Sequence, residues 1–391
     1  MPEHRPARRP ARPAAPATGP ARRQAPRRRQ RLARTLTLVF AVALVAALAL
    51  VLPRLHHEPK AGGVAVTASR PHFTAGVVSC TFTDGARRTA NYLTGVSTAG
   101  RVIPTEIRYP TTSGSPGLAE TAGAHPAIRH GPYPLIVFAE GYAVTPATYA
   151  KLLDRWVRAG FVVAAPRFPD TDAAAVAAQH NVDTEGDDVN QPADTGFVTR
   201  TIEAEASEPA SACGVLHRLL IPNEVALAGQ SDGAETVAGL AYDAHYAEAG
   251  LHFTAVVALS GQAFGAESSS GPDPYLAGPP LLVTQSATDT CNPPQLSTQL
   301  YSLVHQSAKW FLELRSAYHL PPYSGSDPTA FSAVASVTTR FFSLEFAHGT
   351  PGQGFLAYGD RSPPVATLST GASPPTIKPL TGSAASCYLH Y

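Results

Sequence analysis

No Cys-x-x-Cys pair and no histidine cluster accompanies the four cysteines, Cys80, Cys213, Cys291 and Cys387. The spacing that gathers thiolates and imidazoles around a structural metal is therefore missing. The sequence has no internal repeat, which excludes a solenoid or propeller. It has little charge of either sign, 15% of 391 residues. Positive charge is scarce where a fold would need it. Residues 1–34 hold eleven arginines against one acid, Glu3, so a chain of net charge +1 leaves about nine net negative charges on the remainder. That remainder has no basic footprint to neutralise phosphates, so no nucleic-acid partner is expected for it. The acidic run Asp183–Asp188 lacks the Asp-x-Asp-x-Asp-Gly spacing of a calcium loop and reads as a solvated loop.

The chain falls into five segments. Residues 1–34, rich in Arg, Pro and Ala with almost no large apolar side chains, cannot bury enough surface to offset ordering entropy. They read as a disordered cytoplasmic arm, with a nucleic-acid-binding arm as the alternative. Residues 35–53, from Thr35 to Pro53, follow without a charge over about 18 residues, just long enough to cross a bilayer core. Arg31 and Arg34 abut its start, and the positive-inside rule keeps the N-terminus in the cytoplasm and sends the rest across. The expectation is a single-pass signal anchor in the cell membrane with an extracellular domain. A signal peptide cleaved to give a secreted protein is the alternative. Residues 54–76 form a linker, 77–347 the folded domain and 348–391 an irregular tail rich in Gly, Pro, Ser and Thr. Four cysteines in an exported domain fit two disulfides, and their pairing stays open among three possibilities.

Within 77–347 the pattern alternates. Cys80–Thr83 and Arg101–Tyr109 read as paired early strands. Pro134–Ala139, Phe161–Ala165, Glu224–Ala228, Thr254–Leu259, Pro280–Thr284 and Lys309–Leu314 are short apolar runs suited to strands buried on both faces. Helical spacing over Pro146–Ala159, Gln191–Ala204, Asp232–Ala247, Pro294–His305 and Asp327–Phe346 separates them. Strands alternating with helices of this size predict an α/β fold with a mainly parallel sheet covered on both faces.

The stretch NEVALAGQSDGAETV, residues 223–237, places Gly229-Gln230-Ser231-Asp232-Gly233 between a strand and a helix. Gly-x-Ser-x-Gly in that context is a nucleophile elbow, which strains the serine backbone and lifts its Oγ. A serine hydroxyl needs a base, and the base needs an orienting acid. Asp289 lies in the loop after Pro280–Thr284 and His319 in the loop after Lys309–Leu314, so both fall at the same sheet edge as Ser231. The backbone N–H groups of Asp232 and of Tyr142, in the loop Glu140-Gly141-Tyr142, are the expected oxyanion-hole donors. Asp232 itself reads as an acid placed favourably at a helix N-terminus. Asp243 and His245 read as surface residues. Tyr142, Tyr149, Phe168, Trp310 and Tyr323 are candidate cleft-lining aromatics. The long segment Phe168–Asn190 is the candidate flank, since Gln262–Pro279 is too short for a large lid.

The stretches IVFAEGY, GQSDG, SATDT and AYHLPPY together resemble the α/β-hydrolase superfamily. They sit nearest the lidless esterase branch of polyester hydrolases, platelet-activating-factor acetylhydrolases and chlorophyllase-like proteins. The resemblance implies an eight-stranded, mostly parallel sheet and cofactor-free, metal-free hydrolysis of small-molecule, lipid or polyester esters. It implies Ser231, Asp289 and His319 as a triad with Tyr142 and Asp232 as oxyanion donors. Many relatives carry His-Gly where this chain has Glu140-Gly141, and a carboxylate there could slow or tune the reaction. That departure leaves a catalytically inactive binding or scaffold protein as the alternative. An acyltransferase or thioesterase would use the same triad.

Overall fold

The computed structural model describes residues 72–113, 120–209, 213–266, 271–272, 274–305, 308–349, 355–356 and 365–377. The expected arm, membrane segment and most of the linker lie outside them, as does Cys387. Among the described residues no helix is long and apolar enough to cross a membrane. The chain divides at Ser69/Arg70 into two compact units, and the described residues belong to the second.

In chain order the elements are β1 (Thr74–Ala90), β2 (Ser97–Thr111), β3 (Thr121–Ala122), β4 (Tyr133–Ala139), α1 (Ala150–Arg158), β5 (Val162–Pro166), α2 (Ala173–Ala178), α3 (Gln191–Ser207), β6 (Leu220–Gln230), α4 (Asp232–Tyr242), β7 (Ala255–Leu259), β8 (Leu281–Ser286), α5 (Pro294–Leu303), β9 (Lys309–Leu314), α6 (Pro321–Ser324), α7 (Pro328–Glu345) and β10 (Ala366–Thr370). They form one sheet in the order β10-β9-β8-β7-β6-β4-β5-β2-β1-β3. The run from β5 through β4, β6, β7 and β8 to β9 is parallel. β2 joins β5 and β10 joins β9 antiparallel.

Alternation along β4 shows why both sheet faces are covered. Leu135, Val137 and Ala139 enter one core with Val198, Ile202 and Val237 of α3 and α4. Ile136 and Phe138 enter the other with Leu153 and Trp156 of α1 and Phe341 and Phe342 of α7. α1 and α7 are also tied by the Trp156 indole N–H, which donates to Thr338 Oγ1 at 3.0 Å. Burial on both faces is what a parallel strand flanked by crossover helices requires.

Three expectations need correction. The sheet has ten strands where eight were expected, because the two-residue β3 and the tail strand β10 extend its edges. The tail is therefore not wholly irregular: Ala366 and Leu368 alternate inward and pair with β9, placing a strand in a segment whose Gly, Pro and Ser content masks it. Asp243 is fully buried, and α4 ends at Tyr242, before the expected Ala247. His245 is exposed as expected.

Cys80 on β1 is joined to Cys213. Cys291 is also disulfide-bonded.

Candidate active site

Ser231 sits between β6 and α4 with φ 56° and ψ −124°, a region that a residue bearing a Cβ rarely occupies. The two flanking glycines make that turn possible. A Cβ on Gly229 would stand 2.0 Å from the Gly233 carbonyl oxygen, and one on Gly233 would stand 2.1 Å from the Ala139 oxygen. The second contact also shows that the end of β4 is pressed against the elbow. The Ser231 N–H donates to the Leu259 carbonyl at 3.0 Å, fixing the turn to β7.

Asp289 and His319 are brought together from the loops after β8 and β9. His319 Nδ1 lies 2.8 Å from Asp289 Oδ2, and both side chains are buried. The other carboxylate oxygen accepts from the N–H groups of Cys291 at 2.9 Å and Asn292 at 3.1 Å. The two loops are clamped to each other by hydroxyls that the sequence reading passed over. Ser286 and Thr288 donate to the Ala317 carbonyl at 2.7 and 2.8 Å, and the Ala317 N–H returns to both. Ser286 and Thr288 belong to the SATDT stretch, and the signal was two hydroxyl residues spaced around an apolar one beside the acid. Asp289, Cys291 and His319 offer three atoms within 4.8 Å of one another. Cys291 is spent in a disulfide, and Asp289 and His319 bind each other, so these three make a poor ligand set.

The other ring nitrogen of His319 meets Gln230, the residue before Ser231, at 3.0 Å from its side-chain nitrogen. Gln230 Oε1 accepts from the Tyr149 hydroxyl at 2.7 Å, and that hydroxyl accepts from the Gly141 N–H at 3.2 Å. The Gly141 N–H is thereby engaged. Among the described residues the Tyr142 N–H has no acceptor, and the Asp232 N–H has none on another residue. The Tyr142 N–H is open to a ligand oxygen, whereas the Asp232 N–H meets its own carboxylate; a Cβ on Gly141 would lie 3.2 Å from Ser231 Cβ, so the loop rests on the elbow.

Glu140 does not face the elbow's mouth. It is buried, and its Oε1 accepts from the Phe168 N–H at 3.2 Å. Burial, reinforced by Asp172, pushes its carboxyl well above the usual range, which disfavours the charged form.

Asp232 also departs from expectation. Burial first, then Glu185 and Asp188, push its carboxyl up to about 7, against contacts with its own N–H and the Ser231 side chain that favour ionisation. It is therefore not the settled helix-terminal anion expected from sequence. The consequence for stability has a definite sign. Between its ordinary value of 3.8 and about 7 the fold holds a proton that the unfolded chain has lost, so stability falls as pH rises through that window. Asp232→Asn is expected to melt higher than the parent at pH 8 and level with it at pH 4. Equal melting temperatures for the two proteins at both pH values would refute the shift.

The segment Phe168–Asn190 does flank the site. A cleft of about 440 Å³ is lined by Tyr142, Ala143, Val176, Asn181, Asp183 and Glu185. The Thr184 N–H donates to the Tyr142 hydroxyl at 3.3 Å, and the Ala143 N–H to the Thr171 carbonyl at 2.9 Å. The acidic run is not simply solvated: Asp187 is fully buried and meets Arg101 at 2.6 Å. Of the candidate aromatics, Tyr142 lines the cleft. Tyr149, Phe168 and Tyr323 are buried, and Trp310 packs in the core against Phe341.

Residues 94–277, just under half of the 391, match the family model described as Chlorophyllase. The match spans the loop Glu140–Tyr142 and the turn at Ser231 and stops short of Asp289. A search of curated proteins returns no match. Among solved structures, a ferulic acid esterase from Streptomyces cinnamoneus superposes with a TM-score of 0.52 at 16% identity, covering 75% of this chain and 95% of that one. At such identity the likeness establishes architecture.

Proposed function

We propose that this chain is an α/β-hydrolase-type serine hydrolase of carboxylic esters working through an acyl-enzyme. The observation that carries the reading is the Asp289–His319 pair at 2.8 Å, one residue removed from a serine held at φ 56°. In this reading Ser231 Oγ attacks the acyl carbonyl while its proton passes to His319 Nε2. The N–H groups of Tyr142 and Asp232 receive the oxyanion, each worth about 3 kcal/mol of barrier. His319 then returns the proton to the departing alkoxide. Water, deprotonated by the same imidazole, releases the acid and restores Ser231. Asp289 orients the ring and stabilises its cationic form without taking the proton.

The burial of Glu140 beneath the loop, bonded to the Phe168 N–H, weakens the motive for an inactive scaffold. The Chlorophyllase match and the ferulic acid esterase neighbour support an ester over an amide or phosphoester. The open cleft at Tyr142 and Val176 suits an extended or exposed acyl group, in keeping with a small-molecule, lipid or polyester ester. We further propose that the chain is anchored in the cell membrane by residues 35–53 with the hydrolase outside. The uncharged run behind eleven arginines and the Cys80–Cys213 disulfide support this.

One experiment addresses both proposals. A membrane-impermeant fluorophosphonate applied to intact cells is expected to label Ser231 on a full-length band in the membrane fraction. A labelled, shorter, soluble product would replace the anchor with a cleaved signal. Absence of labelling at Ser231 in the purified protein as well would defeat the hydrolase reading.

A further inference from the structure

Four hydrogen bonds run in a line through the site: Gly141 N–H to Tyr149 Oη at 3.2 Å, Tyr149 O–H to Gln230 Oε1 at 2.7 Å, Gln230 Nε2 to His319 Nε2 at 3.0 Å, and His319 Nδ1 to Asp289 Oδ2 at 2.8 Å. We infer that Gln230 is a positioning residue which, locked by Tyr149, holds His319 as the Nδ1–H tautomer, its Nε2 lone pair accepting from the Gln230 amide beside the elbow. This rests on the proposed hydrolase reading and adds to it a residue that acts on the base.

The direction of each bond follows from its neighbours. Gly141 offers only an N–H, so the Tyr149 oxygen is an acceptor there and its proton goes to Gln230 Oε1. That leaves the Gln230 NH2 facing His319, where it can only donate. Nε2 must then be the bare nitrogen, and Nδ1 carries the proton that Asp289 accepts. Reversing the amide would require a proton on Nε2, and in a neutral imidazole that strips Nδ1 of the one that the carboxylate needs. It would also crowd two donors onto the Tyr149 oxygen. Gly141 guards the arrangement sterically, since a Cβ there would lie 2.7 Å from Gln230 Oε1. Gln230 is fully buried, so water does not compete for these bonds.

The amide is a restraint as well as a guide. An imidazolium would point its Nε2–H at the Gln230 NH2, donor against donor. The lone pair passes to the Ser231 hydroxyl only when the Gln230 side chain yields. Among the described residues the titratable groups tied to the imidazole by these bonds are Asp289, directly, and Tyr149, through Gln230.

The test is the pH dependence of kcat/KM for a p-nitrophenyl ester, whose acid limb reports the base of the free enzyme. Gln230→Leu removes the donor. Tyr149→Phe leaves it in place and frees the amide to turn. Both are expected to move the acid limb upward by about half a pH unit or more. Gln230→Glu puts an acceptor against Nε2 and is expected to move it by roughly one unit or more, with a lower plateau. A purely structural Gln230 would lower the melting temperature and leave the limb where it is. Coincident limbs in every variant that turns over therefore overturn the inference, and Tyr149→Phe decides the matter if the Gln230 variants do not fold. Failure of the parent to hydrolyse esters or to react with a fluorophosphonate at Ser231 is a separate result, and it removes the hydrolase reading beneath.

Discussion

Ser231→Ala is expected to lower turnover of p-nitrophenyl esters by roughly 10⁴-fold or more while leaving the fold intact. The size follows from the unit in which the serine acts. Without Oγ there is no acyl-enzyme, and the Asp289–His319 pair has no hydroxyl to deprotonate. What survives is the oxyanion hole and binding, which in related chemistry leave a residual 10³–10⁴-fold over water. The backbone at residue 231 already bears the strain of φ 56°, and alanine meets the same cost as serine, so melting should change little. His319→Ala in the Ser231→Ala background should cost little more, because the two work together. Hydrolysis by Ser231→Ala at a rate near the parent's would remove residue 231 from the chemistry.

The second large effect lies away from the elbow. Arg101 is fully buried on β2, and its guanidinium meets Asp194 at 2.7 Å and Asp187 at 2.6 Å, with Asp170 at 4.0 Å. Arg101→Ala would leave Asp187 without its counter-ion and Asp194 with Arg87 alone. Breaking a buried pair in this way costs about 3–5 kcal/mol, whereas replacing every member by neutral groups is often tolerated. For a domain of this size that corresponds to a fall in melting temperature of about 10 °C. Adding Asp187→Asn and Asp194→Asn to Arg101→Met should recover much of the loss. The same change should raise KM, because Asp187 anchors the segment whose Asp183 and Glu185 line the cleft. A single Arg101→Ala variant that melts within a degree of the parent would show that the network contributes nothing.

The reach of the sequence differed between fold and site for physical reasons. Strands such as Lys309–Leu314 and the helix start at Gln191 were legible because burial on two faces and helical periodicity leave strong local patterns. The elbow was legible because only glycine fits where Gly229 and Gly233 meet the backbone. Asp289 and His319 could be placed at one edge from connectivity alone, since parallel strands deliver their following loops to the same side. Gln230 was missed because nothing local says which way the residue before the serine turns. A polar residue closing the apolar strand Val225–Gly229 was the only trace. Asp187 was misread because its partner lies 86 residues away on β2. An arginine inside a strand was the clue that a buried acid had to exist. The pairing of Cys80 with Cys213 is a long-range fact of the same kind.

That disulfide has a consequence for how the protein would come apart. It closes a span of 133 residues that contains the loop Glu140–Tyr142 and the whole acidic flank of the cleft. A protease that nicks any exposed peptide inside the span leaves two pieces still covalently joined. Such a molecule would run as one species on a gel until a thiol reductant splits it, so clipping at the cleft would go unseen wherever samples are kept oxidised.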